Sequence, residues 1–76
     1  MSEELSTVTE DRAYWVGVQP SLKLHPNVFG PYTKAEADSN RRAWVQIYTP
    51  SGKVSASFRA DSRRQAEENV LFYMPK

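Results

Sequence analysis

Three large aromatics and two cations are the residues of this chain best suited to recognition chemistry: Trp15, Trp44 and Tyr48, with Lys53 and Arg59. Trp, Tyr and Arg join a broad apolar surface to a hydrogen-bonding or cationic head, which is why they dominate the energetic centres of protein interfaces. Two arginine pairs, Arg41-Arg42 and Arg63-Arg64, add a second kind of chemistry, because a guanidinium fork matches carboxylates and phosphates. Residue types for catalysis or metal ligation are sparse. His25, beside Pro26, is the only histidine, and there is no cysteine. A lone loop histidine has no partner with which to build a metal site or a catalytic relay, and neither a Gly-x-Ser-x-Gly nor a phosphate-cradling glycine motif occurs. Glu36 and Asp38 fall on one helix without an acid–base counterpart. The expectation is a binding protein that is not an enzyme and uses no cofactor or metal.

The net charge of +1 hides an asymmetry. Glu3, Glu4, Glu10 and Asp11 are four of the nine acidic residues, whereas all ten Lys and Arg follow residue 11, which leaves a surplus of five positive charges over 12–76. Residues 1–11 are read as an acidic, poorly ordered leader, and 12–76 as a single domain. No apolar run approaches the ~20 residues that span a bilayer, and the amino terminus has no apolar core of the kind found in secretory signals. The lack of cysteine suits a reducing compartment, so a cytoplasmic setting without membrane contact is expected.

Several elements must position these residues. Ala13–Gln19 is rich in β-branched and aromatic residues and stops at Pro20, as a strand does. Residues 20–32, with Pro20, Pro26, Gly30 and Pro31, read as a long loop that could include a short strand near Ser21–Leu24. Thr33-Lys34-Ala35-Glu36 is a capping box that opens a helix to about Arg42. From Ala43 the period changes to two: Val45, Ile47 and Thr49 alternate with Trp44, Gln46 and Tyr48. A turn at Pro50-Ser51-Gly52 then leads into Lys53–Ala60, which alternates again, so 43–60 reads as a β-hairpin. Asp61 or Ser62, with Gln65, caps a final helix to about Tyr73. A faint echo links Glu36–Asn40 to Gln65–Asn69, 29 residues apart. The expected fold is α+β: a small three-stranded, mostly antiparallel sheet in the order β-α-β-β-α, with the C-terminal helix packed on one face.

Alternation divides the strands into two faces. Tyr14, Val16, Val18, Val45, Ile47, Val54, Ala56 and Phe58 form the core face under the last helix with Val70, Leu71 and Tyr73. Trp15, Gly17, Trp44, Gln46, Tyr48, Lys53, Ser55, Ser57 and Arg59 form the other. Either the first helix and the 20–32 loop cover this second face, with Trp15 and Trp44 making a small second core, or part of it is a recognition surface.

Phe29-Gly30-Pro31-Tyr32 before a Glu-Ala helix resembles a loop-to-helix joint of small α+β proteins from phages and actinobacteria. A strand, a Ser51-Gly52 turn, a strand ending Ser57-Phe58-Arg59 and a helix beginning Gln65-Ala66-Glu67 is similar to the amino-terminal arm-binding domains of tyrosine integrases. That resemblance implies a sheet lying in the DNA major groove with Lys53, Ser55, Ser57 and Arg59 toward DNA. The chain departs from the pattern in the segment between its first two strands and in having fewer basic residues. The leading expectation is a protein-binding module, of the kind a phage accessory protein uses to occupy a partner's surface. The alternative is a nucleic-acid-binding domain using the arginine pairs, and a homodimer closed through Trp15 and Trp44 is a third arrangement.

Overall fold

Strand β1 (Tyr14–Gln19) runs through the centre of the molecule, and its middle residues Trp15, Val16, Gly17 and Val18 are all buried. A strand buried on both sides needs a layer over each face, and the chain supplies two helices for that purpose. The computed structural model describes residues 9–75; residues 1–8 of the acidic leader lie outside the described residues. Strand β2 (Asn27–Tyr32) pairs antiparallel with β1 on one side. Strands β3 (Lys53–Val54) and β4 (Phe58–Arg59) pair antiparallel with its other side, β3 with the end of β1 and β4 with its beginning. They act as one interrupted strand, so the sheet is three strands wide. Helix α1 (Lys34–Tyr48) covers the face of Val16, Val18 and Val54, and helix α2 (Arg63–Tyr73) covers the face of Trp15, Val28 and Phe58.

The α+β class, the antiparallel sheet and the C-terminal helix agree with the sequence, while the element order becomes β-β-α-β-β-α. The additional strand is β2, within the stretch expected to be a loop; a proline is tolerated there because β2 is an edge strand. The larger correction concerns residues 43–49, which are the second half of α1 and not a hairpin arm. Thr33 caps the helix, accepting from the Glu36 amide at 3.1 Å while the Glu36 carboxylate accepts from the Thr33 amide at 3.1 Å. Once nucleated, a helix extends at little cost per residue, and no Gly or Pro intervenes before Pro50. Ala37, Arg41, Trp44, Val45 and Tyr48 then recur at helical spacing and meet the sheet. Thr49, before Pro50, is extended (φ −93°, ψ 150°) and ends α1, as the residue preceding a proline prefers.

Helix α2 starts in the same manner. The Ser62 hydroxyl accepts from the Gln65 amide at 3.1 Å, and the Gln65 side chain accepts from the Asp61 amide at 2.7 Å. The 29-residue echo therefore has a structural counterpart: Thr33 and Ser62 are both N-caps, and Ala37 and Ala66 are both fully buried where each helix first meets the sheet.

Each partner of β1 contains one extra residue. Between Val16↔Phe29 and Tyr14↔Tyr32 the extra residue lies at Gly30-Pro31. Gly30 has φ +150°, and a Cβ there would sit 2.9 Å from the Trp15 ring and 2.8 Å from the Tyr14 carbonyl oxygen. Between Val18↔Val54 and Trp15↔Phe58 the extra residue lies within Ser55–Ser57. One added residue flips every later side chain to the opposite face. Val54 accordingly packs under α1, whereas Phe58 and Ala60 pack under α2. The eight-residue alternation over 53–60 is real, but it does not describe one flat strand.

The faces of β1 are also exchanged relative to expectation: Trp15 and Gly17 face the C-terminal helix, and Tyr14, Val16 and Val18 face α1. Trp15 and Trp44 consequently lie on opposite faces. Ile47, Leu71, Tyr73 and Ala56, expected in the core, are exposed.

At the second bulge the Ser55 amide donates to the Gly17 carbonyl at 2.8 Å, but its own carbonyl is turned away. The buried Ser55 hydroxyl replaces it, accepting from the Gly17 amide at 2.7 Å and donating to the Ala56 carbonyl at 2.8 Å. Ser55→Ala should leave a buried amide unpaired and lower the unfolding free energy by about 1–3 kcal/mol, read as an earlier urea midpoint at unchanged slope. Gly17 has no room for a side chain, since a Cβ would overlap the Val70 Cγ2 methyl. Gly17→Ala should cost about 1–3 kcal/mol by overpacking, and Val70→Ala in the same chain should recover part of that loss, a non-additivity that a double-mutant cycle measures.

Candidate functional site

The two sheet edges come first, because an open strand edge is itself a binding site. Both backbone groups of Gly17 are directed to Ser55, so those of its β2 partner Val28 point outward from the sheet. The Val28 carbonyl accepts from Arg63 of α2 at 2.9 Å. On the opposite edge, the Ser55 carbonyl accepts from Arg41 Nε of α1 at 3.0 Å. Prolines 26 and 31, without amide hydrogens, flank the β2 edge. One backbone carbonyl on each edge is thus engaged by an arginine of the helix beside it.

This sorts the arginine pairs. Arg41 and Arg63 serve the fold, and Arg63 also lies 5.6 Å from the centre of the Trp15 ring. It does not form the helical pair with Glu67 that its spacing suggests. Arg42 and Arg64 are exposed on different helices that cover opposite faces of the sheet, and Arg64 reaches Glu68 at 3.7 Å. The other sequence-selected residues separate as well. Trp15 is only 1% exposed, donates to the Ala60 carbonyl at 3.1 Å and belongs to the core, which removes it from any recognition face and from a dimer seam. Tyr48 is half-buried against the α1-side core. Lys53 donates to the Pro75 carbonyl at 3.1 Å, fastening the end of α2. Arg59 is exposed over the Tyr14 ring, 5.2 Å from its centre. The bulge places Ser57 and Arg59 toward α1, while Ser55 turns to α2. Lys53, Ser55, Ser57 and Arg59 therefore do not share a face, and α1 covers the sheet surface that an integrase-like mode would lay in DNA.

Of the two tryptophans, Trp44 remains at a surface. It is half-buried on α1, with Phe29 at 5.2 Å and Tyr32 at 6.4 Å between ring centres. Ile47, one turn on, is 67% exposed, and Phe29 is 39% exposed. Phe29 and Tyr32 are three residues apart yet reach the same indole because the Gly30-Pro31 bulge lies between them. Neither is legible as a site residue in the sequence, because Gly30 and Pro31 give β2 the pattern of a loop; the remaining signal is the aromatic on each side of Gly30-Pro31.

Beside this cluster is an open groove of about 510 Å³ lined by Arg12, Pro31, Tyr32, Glu36, Ser39 and Asn40, with Ala35. Two of these lining residues, Arg12 and Glu36, form an exposed ion pair at 2.8 Å. The Glu36 carboxyl is held below its usual range by the Thr33 amide first, and also by Arg12. Partial burial, then the Glu36 charge, push the Tyr32 phenol up. On the far side of α1, Asp38 is lowered by its bonds to Lys34 and Ser57. Among the described residues no group of three or more His, Cys, Asp or Glu could hold a metal ion, and no helix is long and apolar enough to cross a membrane. No family model matches the chain, and no curated protein or solved structure is found to be similar to it.

Glu36 and Asp38 tie the start of α1 to the segments on either side of it. Because both carboxyls titrate below their ordinary values in the folded chain, their contribution is present above those values, 4.5 and 3.8, and is lost as pH falls through the lowered ones. Acid titration of helicity by circular dichroism should show this loss, and Glu36→Gln with Asp38→Asn should flatten the acid limb relative to the parent.

Proposed function

We propose that this chain is a small non-enzymatic protein-binding module that occupies a partner's surface through the α1–β2 side. The observation that carries the reading is the exposure of Phe29 and Ile47 around the half-buried Trp44. Buried aromatics flanked by accessible apolar groups are the composition of interface centres. Arg41 and Arg63 each occupy one outward carbonyl, of Ser55 and of Val28, which disfavours strand addition at those points and supports docking by side chains.

Nucleic-acid binding ranks second. The surplus of positive charge over 12–76 favours it, but one arginine of each pair is engaged by a backbone carbonyl and the other two lie on different layers. Glu67 and Glu68 dilute the α2 patch further.

Phe29→Ser with Ile47→Ser changes two exposed side chains and should preserve the circular dichroism spectrum. Cross-linking in cells should then show the parent's specific partner lost from the variant, with affinity reduced about tenfold or more, as removal of about 1.4 kcal/mol of interface energy gives. An unchanged partner profile would contradict the reading. Titration with random duplex DNA should show no binding that collapses between about 50 and 200 mM salt; micromolar binding with that dependence, the mark of roughly 6–10 phosphate contacts, would favour the second reading instead.

A further inference from the structure

The other side of α1, toward β3 and β4, carries a surface of different chemistry. Asp38 uses both carboxylate oxygens internally, Oδ2 accepting from Lys34 Nζ at 3.0 Å and Oδ1 from the Ser57 hydroxyl at 2.9 Å. Lys34 stands one turn before Asp38 on the helix, and Arg42 one turn after it. Arg59 follows Ser57 on the same strand face, its guanidinium settled over Tyr14. Arg41 reaches beneath them to Ser55. Lys34 and Arg42 thus flank this carboxylate along the helix, Arg59 lies on the neighbouring strand, and all three cations are exposed. Glu36, the other acid of α1, is directed to Arg12 on the groove side.

We propose that this ridge binds an acidic polypeptide segment, with carboxylates set against Arg59 and Lys34 at one end and Arg42 at the other. The inference rests on the protein-binding reading and names the chemistry of the partner. Lys34 and Arg42 are eight residues apart on one helix, which corresponds to about 12 Å along its axis. An extended segment spans that distance in about four residues, so acids at every second residue would meet both ends. Guanidinium forks bind carboxylates in two-point geometry. Three exposed cations are fewer than the roughly 6–10 phosphate contacts of strong duplex binding, which favours a short acidic peptide over nucleic acid.

The test is fluorescence anisotropy of a labelled eight-residue peptide of alternating Glu and Ser, with the full chain at about 50 mM salt, where surface charge is weakly screened. Binding should weaken at least tenfold in Arg42→Glu with Arg59→Glu and remain in Arg64→Glu, whose site is on the other layer. Arg42→Gln with Arg59→Gln keeps the readout available if charge reversal disturbs the fold, and should give an intermediate loss. Absence of peptide binding by the parent chain, an equal loss in Arg64→Glu, or tighter binding of a duplex of equal charge would overturn the ridge. Failure here with partner loss still seen in the Phe29/Ile47 variant would leave the binding-module reading standing. Loss in the ridge variants with the Phe29/Ile47 variant unaffected would retain the ridge and reject the apolar site.

Discussion

The bond between the Gly17 amide and the Ser55 hydroxyl is the constraint on which the architecture depends. A backbone carbonyl would ordinarily accept that proton. Here the chain inserts a residue, turns the Ser55 carbonyl outward to Arg41, and fills the vacant position with a side chain. The exchange keeps the buried ladder satisfied while reversing the faces of the residues that follow. Phe58 and Ala60 thereby reach the α2 layer although Val54 belongs to the α1 layer. Gly17 completes the arrangement, because its missing side chain lets Val70 approach the sheet beside the bulge.

The matching device on β2 shows how a short chain builds two apolar layers from one central strand. Gly30 and Pro31 widen the strand beside Trp15, whose indole then fits against backbone and finds its acceptor at Ala60. With Trp15 on one face and Val16 and Val18 on the other, β1 has no free side. Each helix is needed, and each arrives after a capped start.

Local signals were legible in the sequence where they concern neighbouring residues. Thr33 with Glu36, Ser62 with Gln65, and the β-branched run of β1 each specify their element within a few positions. The hairpin expected over 43–60 failed because Trp44, Val45, Ile47 and Tyr48 satisfy a period of two and a helical stripe equally well. The capping box ten residues upstream decides between them, together with the absence of a breaker before Pro50. The bulges were hidden for a different reason: one extra residue changes the meaning of an alternating pattern without altering it, and only the register with β1 shows where that residue lies. The candidate site suffered from both effects. Alternation assigns Trp15 and Arg59 to one face although they belong to opposite layers, and Gly30-Pro31 gives Phe29 and Tyr32 the pattern of a loop. Of the arginine pairs, composition could not separate the member that caps an edge carbonyl from the member that faces solvent.

The α1 layer is apolar toward β2 and cationic toward β4, and the two-layer arrangement depends on the separation of the two tryptophans onto opposite faces of the sheet. Acrylamide quenching of Trp44→Phe, which leaves Trp15 as the sole indole, tests it directly. A Trp15 enclosed by α2, Gly30 and Arg63 should resist quenching until the chain is unfolded by denaturant. Quenching in the native state as efficient as in the denatured state would place Trp15 at a surface and contradict the two-layer arrangement.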